Sequence, residues 1–196
     1  MDIGILGSGR VGSSLATGFA DKGHTVVLGS RDASQERLIQ WAAEDPDHRR
    51  VGDYRAAVDA SGLVIFAVPG RLLAETLDGI DRDAFDGKIV IDATNPFVKN
   101  AAGETIDFYG NDDSGAEFLQ RELPDAAVVK AFNQISAPAM LHPEQANMDM
   151  LRIAGDDEGA KATVAELVGS FGWKVRDLGR LSKARALEHG VIRSYS

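Results

Sequence analysis

A doubly wound α/β fold with a mainly parallel sheet is predicted by three observations. Short apolar runs alternate with helical patterns, a glycine-rich turn joins the first run to the first helix, and the central runs are apolar without alternation. The turn lies in Ile3-Gly4-Ile5-Leu6-Gly7-Ser8-Gly9-Arg10-Val11-Gly12. In this G-x-G-x-x-G pattern Gly7 permits the tight turn, Gly9 lacks the Cβ that would hold a pyrophosphate away, and Gly12 lets the helix lie close on the strand. The helix start offers N–H groups and partial positive charge to phosphates. Val11, Leu15, Ala16 and Phe19 recur at helical spacing up to Gly23, and a β-type run at 25–28 completes a βαβ unit. Context of this kind turns a weak motif into a Rossmann-type dinucleotide site, with Gly7, Ser8, Gly9, Arg10, Val11 and Gly12 around the phosphates.

The 196 residues suffice for one well-packed domain, expected to run 1–196 with a short C-terminal helical segment. A net charge of −9 argues against general affinity for nucleic acid, so an anionic cofactor must be attracted by a few placed cations and a helix end. There is no cysteine, which excludes disulfides, thiolate metal sites and cysteine nucleophiles, and redox chemistry would be borrowed from a cofactor. No basic-plus-apolar leader precedes Ile3, and the apolar stretch 62–70 is too short to span a bilayer. A cytoplasmic protein is expected, acting on a small molecule without a membrane span.

The second strand ends in Leu28-Gly29-Ser30-Arg31-Asp32. A carboxylate usual at this point holds the ribose hydroxyls of NAD. Here Ser30 and Arg31 take its place, and a hydroxyl beside a guanidinium suits the 2′-phosphate of NADP. The alternative for Arg31 is a solvated surface charge. Asp32, with Gln35 three residues on, reads as the N-cap of a helix carrying Leu38, Ile39 and Ala42. Residues 54–60 read as a short helix, and 63–67 as a central strand buried on both faces. Ala67, Val68 and Pro69 follow at its carboxyl end, where ligands lie in this architecture, and should border the nicotinamide ribose. Pro69 also suits the first turn of a helix with Leu73, Leu77 and Ile80 inward.

Residues 88–92 form the next strand, ending in Ala93-Thr94-Asn95-Pro96. Asn95 either hydrogen-bonds the nicotinamide half of the cofactor or simply forms a turn with Pro96. Residues 97–113 hold few periodic apolar positions and read as a lid or substrate loop. Ser114 with Glu117 caps a helix that Pro124 terminates, and 127–132 is another strand. Lys130 and Asn133 invite comparison with a catalytic Lys-x-x-Asn pair, but on a strand those positions face opposite ways. A structural role therefore suits Lys130 better, while Asn133 faces the pocket. A further β-α-β unit spans 151–178, and a helical pattern at 181–188 is broken at Gly190, after which Val191, Ile192 and Tyr195 can dock on the body or on a second subunit of a homodimer. The four histidines have no metal-ligand spacing, no metal site is expected, and only His142 merits testing as an acid.

Several blocks together resemble the NADP-dependent oxidoreductases that exchange hydride with the deazaflavin coenzyme F420. They are Gly7-Ser8-Gly9-Arg10-Val11-Gly12, Gly29-Ser30-Arg31, Ala67-Val68-Pro69, Ile91-Asp92-Ala93-Thr94-Asn95-Pro96, Val129-Lys130-Ala131-Phe132-Asn133, Ile153-Ala154-Gly155-Asp156-Asp157 and Leu181-Ser182-Lys183-Ala184-Arg185. The resemblance covers nearly the whole chain. It implies that residues 8–11 hold the pyrophosphate, Ser30 and Arg31 the 2′-phosphate, and Val68 the nicotinamide side, with F420 as second substrate. The family's deazaflavin loops have no residue-by-residue match here. It is also similar to the cytoplasmic module of membrane ferric reductases. The expected activity is hydride transfer between NADP(H) and a planar ring stacked on it, which needs no strong acid or base at the reacting carbon. No residue is a certain catalyst; Asn133, His142 and Lys130 are the candidates. The rival readings are an NADPH-dependent reductase of a flavin, ferric chelate or imine, and a non-catalytic NADP-binding module.

Overall fold

The computed structural model describes residues 1–146 and 148–194. In chain order its regular elements begin β1 (Asp2–Leu6), α1 (Arg10–Asp21), β2 (Thr25–Gly29), α2 (Glu36–Ala43), β3 (Arg49–Gly52), α3 (Tyr54–Asp59), β4 (Leu63–Phe66), α4 (Leu73–Leu77) and β5 (Ile89–Asp92). They continue with β6 (Phe97–Lys99), β7 (Thr105–Asp107), α5 (Gly115–Glu122), β8 (Ala127–Lys130), α6 (Ala137–Met140), β9 (Met150–Gly155), α7 (Glu158–Ser170), β10 (Lys174–Asp177) and α8 (Ala184–Ser194). Eight strands form one sheet in the order β10-β9-β8-β5-β4-β1-β2-β3. From β3 through β8 neighbouring strands are parallel; β9 runs antiparallel to β8, and β10 is parallel to β9. The chain works outward from β1 to β3, then returns to lay β4 on the other side of β1. That reversal opens a crevice beyond the carboxyl ends of β1 and β4.

Alternation along the central strands explains their unbroken apolar runs. Ile3, Ile5, Leu63, Ile65, Ile91 and Val129 face one layer with Leu15 and Phe19 of α1 and Val164 and Val168 of α7. Leu6, Val64, Phe66, Val90 and Val128 face the other, against Val58 of α3, Leu73 and Leu77 of α4, and Leu119 of α5. A parallel sheet covered on both faces requires this pattern.

The structure adds one element that the sequence pattern did not show and corrects three readings. The polar segment Arg49-Arg50-Val51-Gly52 is an edge strand paired with β2, and its charges, which suit an edge, hid it from an apolar pattern. Residues 97–113 contain a β6–β7 hairpin rather than an irregular loop, with Phe97 paired to Asp107 and Lys99 to Thr105. Asp32 does not cap α2: Gln35 is the cap residue, and Asp32 Oδ1 instead accepts from the Ser34 amide and hydroxyl. The C-terminal segment is a 3₁₀ turn, Leu181–Lys183, followed by α8, which continues through Gly190 instead of breaking there. A helix tolerates one glycine at a cost of about 1 kcal/mol. Tyr195 and the side chains of Val191 and Ile192 lie outside what is described. Among the described residues no helix is long and apolar enough to cross a membrane.

α8 is fastened to the sheet by a buried charge cluster. Lys130, the last residue of β8, is wholly buried. Its Nζ donates to Asp92 Oδ2 at 2.8 Å, the Thr94 carbonyl at 2.7 Å and Glu188 Oε1 at 2.5 Å. The Gly115 amide, at the start of α5, donates to the same Glu188 carboxylate. Burial works against the Lys130 charge, but Asp92 and Glu188 outweigh it and raise its pKa above the ordinary lysine value. Burial pushes the Glu188 carboxyl from 4.5 up to about 7; Lys130 opposes this rise and Asp92 adds to it.

Lys130→Met would leave two buried carboxylates without their cation. It should cost about 3–5 kcal/mol of stability, measured by urea denaturation. Because folding raises the Glu188 pKa, its contribution to stability is present below about 4.5 and is lost as pH rises through about 7. In urea titrations across that window, wild-type stability should therefore fall relative to that of Glu188→Gln, which has no proton to lose and gains no buried charge.

Candidate cofactor site

Gly7 leaves β1 with φ of +119°, a conformation that L side chains rarely adopt, and a Cβ there would lie 2.6 Å from the Ala67 carbonyl oxygen. Gly12, in the first turn of α1, is more constrained: its Cβ would lie 1.7 Å from the Gly7 carbonyl oxygen. Between them, a Cβ on Gly9 would meet nothing within 4 Å. The motif thus seats the helix tightly at two glycines and leaves open space at the third, the cradle a pyrophosphate needs. Gly9 caps α1 with no side-chain hydrogen bond, so the N–H groups of the first turn have no partner within the helix and are available to an anion.

A cleft of about 550 Å³ lies beyond the ends of β1, β2 and β4, within the range of small-molecule sites. Of the residues expected from the sequence, Gly7, Ser8, Gly9, Ser30, Arg31, Ala67, Val68 and Pro69 line it. Arg10, Val11 and Gly12 form the adjoining first turn of α1, where Val11 turns its side chain to the core. Ser30 is buried, and its hydroxyl accepts from Ser8 Oγ at 3.0 Å and donates to the Asp32 carbonyl at 2.9 Å. The Arg31 side chain is 73% exposed and stands 3.6 Å from Glu75, a surface pair too weak to hold it from a ligand. The Ser34 hydroxyl and amide hold the Asp32 carboxyl below its usual range.

Arg37, Tyr54 and Glu75 also line the cleft and were not legible as site residues in the sequence. Arg37 Nη2 donates to Ser8 Oγ at 3.3 Å, adding a second guanidinium close to Ser30. The available signal was its place in the first turn of the helix after Ser30-Arg31. Tyr54 begins α3 and packs where a Gly29 Cβ would meet its ring at 3.1 Å. Burial pushes its phenol up in pKa, with Arg31 opposing.

The other expected residues separate into three places. Asn95 and Asn133 clasp each other, Asn95 Nδ2 donating to the Asn133 carbonyl at 2.8 Å and Asn133 Nδ2 to Asn95 Oδ1 at 3.1 Å. Neither lines the cleft in this structure. The clasp follows Phe132, which at φ of 64° is the one non-glycine with positive φ among the described residues. Lys130 is enclosed in its ion cluster, with no surface for a ligand, and so cannot serve as a catalytic amine. His142 has a side chain 55% exposed beside Glu144 and is absent from the cleft wall. No cluster of three or more His, Asp or Glu residues suited to a metal ion occurs among the described residues.

Fold and cleft together define a Rossmann-type dinucleotide-binding protein. Residues 2–96 match the family model "NADP oxidoreductase coenzyme F420-dependent". The F420-dependent NADP reductase of Methanothermobacter marburgensis is 32% identical over 96% of this chain and 88% of its own length. A crystal structure of a candidate F420-dependent NADP reductase from Arthrobacter sp. FB24 superposes with a TM-score of 0.89 at 32% identity, covering 100% of this chain and 91% of that one. Metalloreductase STEAP3 of Rattus norvegicus is 36% identical over 95% of this chain, which spans 35% of that longer protein. The chain belongs to the F420-dependent NADP oxidoreductase family.

Proposed function

We propose that this protein transfers a hydride between NADP(H) and the deazaflavin coenzyme F420. The observation that carries the reading is the pairing of family membership with the composition of the cleft. An open glycine cradle and a Ser30–Arg31–Arg37 group stand at its adenosine end, whereas the candidate proton donors Lys130 and His142 stand away from it. When bound, NADPH would supply, from C4 of its dihydronicotinamide, the hydride that together with one proton reduces the deazaflavin. The protein's part is to bind and orient. The first turn of α1 holds the pyrophosphate, and Ser30, Arg31 and Arg37 take the 2′-phosphate. Ala67, Val68 and Pro69 form an apolar wall that turns the nicotinamide and keeps water from it. One sheet running from Asp2 to Asp177 supports reading 1–196 as a single domain. The similarity to a metalloreductase over nearly the whole chain favours a second reading, reduction of a flavin or ferric chelate by NADPH.

Arg31→Ala should weaken NADP binding by about ten- to a hundredfold in a fluorescence titration and leave NAD binding nearly unchanged. In a stopped-flow screen of NADPH absorbance against deazaflavin, flavins and ferric chelates, rapid oxidation is expected with deazaflavin. Turnover with flavin or ferric chelate alone would replace the first reading by the second, and tight binding with no turnover would leave a binding module.

A further inference from the structure

The Lys130 cluster lies beneath the cleft wall rather than in it, and its contacts lead to that wall. The Thr94 carbonyl accepts from Lys130 Nζ at 2.7 Å, and the Thr94 amide donates to Asp92 Oδ1 at 2.9 Å. Both polar groups of this backbone residue are therefore held by the cluster. The Thr94 hydroxyl is buried and has no hydrogen-bond partner, so its side chain contributes no polar tether. Asn95 comes next, clasped to Asn133, and its carbonyl accepts from the Gly70 amide at 3.1 Å. Contact there is close: a Cβ on Gly70 would lie 2.8 Å from Pro96 Cα and 2.9 Å from the Asn95 carbonyl. Gly70 follows Val68 and Pro69, the residues that line the cleft on the β4 side. Glu188, Lys130, Thr94, Asn95 and Gly70 thus form one connected path from α8 to the wall.

We propose that Lys130, locked by Glu188, is a positioning residue for hydride transfer: it sets Thr94 and Asn95, and through Gly70 the wall that orients the nicotinamide. This rests on reading the cleft as the NADP site. The adenosine end, built by Ser30, Arg31 and Arg37, lies off this path. Loosening the cluster therefore misplaces the ring and leaves the grip on the cofactor intact, whereas a purely structural ion cluster would affect both ends or neither.

The test uses the full chain, with NADP affinity by titration, single-turnover NADPH oxidation by deazaflavin, and thermal melting. Glu188→Leu should slow the transfer by about ten- to a hundredfold, the scale of a small misplacement of reacting groups, with NADP affinity within about twofold of wild type. Glu188→Gln, which retains an acceptor for Lys130, should restore most of the rate. Should Glu188→Leu fail to fold, Glu188→Asp, which keeps the charge but draws the carboxylate back by one methylene, loosens the same cluster more gently, and the same separation of rate from affinity is expected in smaller measure. Folded variants that transfer hydride at the wild-type rate, or that lose rate and affinity in equal proportion, would overturn the proposal. Wild-type protein that bound no NADP, or bound it without reducing deazaflavin, would instead remove the functional reading, and this inference with it.

Discussion

The molecule is organised by a steric constraint: the first turn of α1 lies so close to the end of β1 that there is no room for a side chain at Gly12. From this one contact follow the entry angle of the helix, the direction in which its unpaired N–H groups point, and the open space over Gly9 where phosphates can approach the backbone. The same closeness brings the Gly7 turn against Ala67 at the end of β4. The two crests of the sheet that flank the crevice are therefore spaced by backbone contact, which is stiffer than side-chain packing. Attraction for an anion then comes from a helix end and two guanidinium groups, in a protein whose net charge of −9 would otherwise repel it.

A second constraint works from the opposite side of the cleft. The end of β5 is tied to the end of β8 and to α8 by one lysine shared between two carboxylates and a backbone carbonyl. Such a cluster contributes little net stability compared with an apolar replacement, because desolvating three charges offsets their attraction. What it does fix is the meeting of three segments, since one ammonium group takes partners from the end of β5, the residues after it and α8. The adjoining Phe132 backbone and the Asn95–Asn133 clasp belong to the same region, where strain and exact pairing are concentrated.

Much of the fold was legible in the chain because its signals are local. The runs Ile3–Leu6, Leu63–Phe66 and Ile89–Ile91 carry no polar side chain since both faces of their strands are covered, and the Ser114 and Pro124 boundaries of α5 follow from capping and ring geometry. The element that was missed and the readings that needed correction depend on neighbours. Arg49–Gly52 becomes a strand only because β2 offers it an edge. The hairpin at 97–107 is set by pairing between its two arms, with Phe108 docked through its amide on the Pro96 carbonyl. Asp32 found a nearer donor in Ser34 than the helix amides it was expected to cap.

The sequence by itself determined the alternation of strands and helices, the glycine cradle, and the Ser30–Arg31 pair at the end of β2, because these properties reside in single residues or in spacings of a few positions. Only the tertiary structure decided that Arg37 and Tyr54 join the cleft, that β9 and β10 run against the rest of the sheet, and that Lys130 meets Glu188, 58 positions later in the chain, instead of a ligand. The reason is physical: a lysine carries the same charge and reach wherever it stands, and whether it is exposed to a ligand or enclosed between carboxylates is settled by segments that approach one another only when the chain has folded.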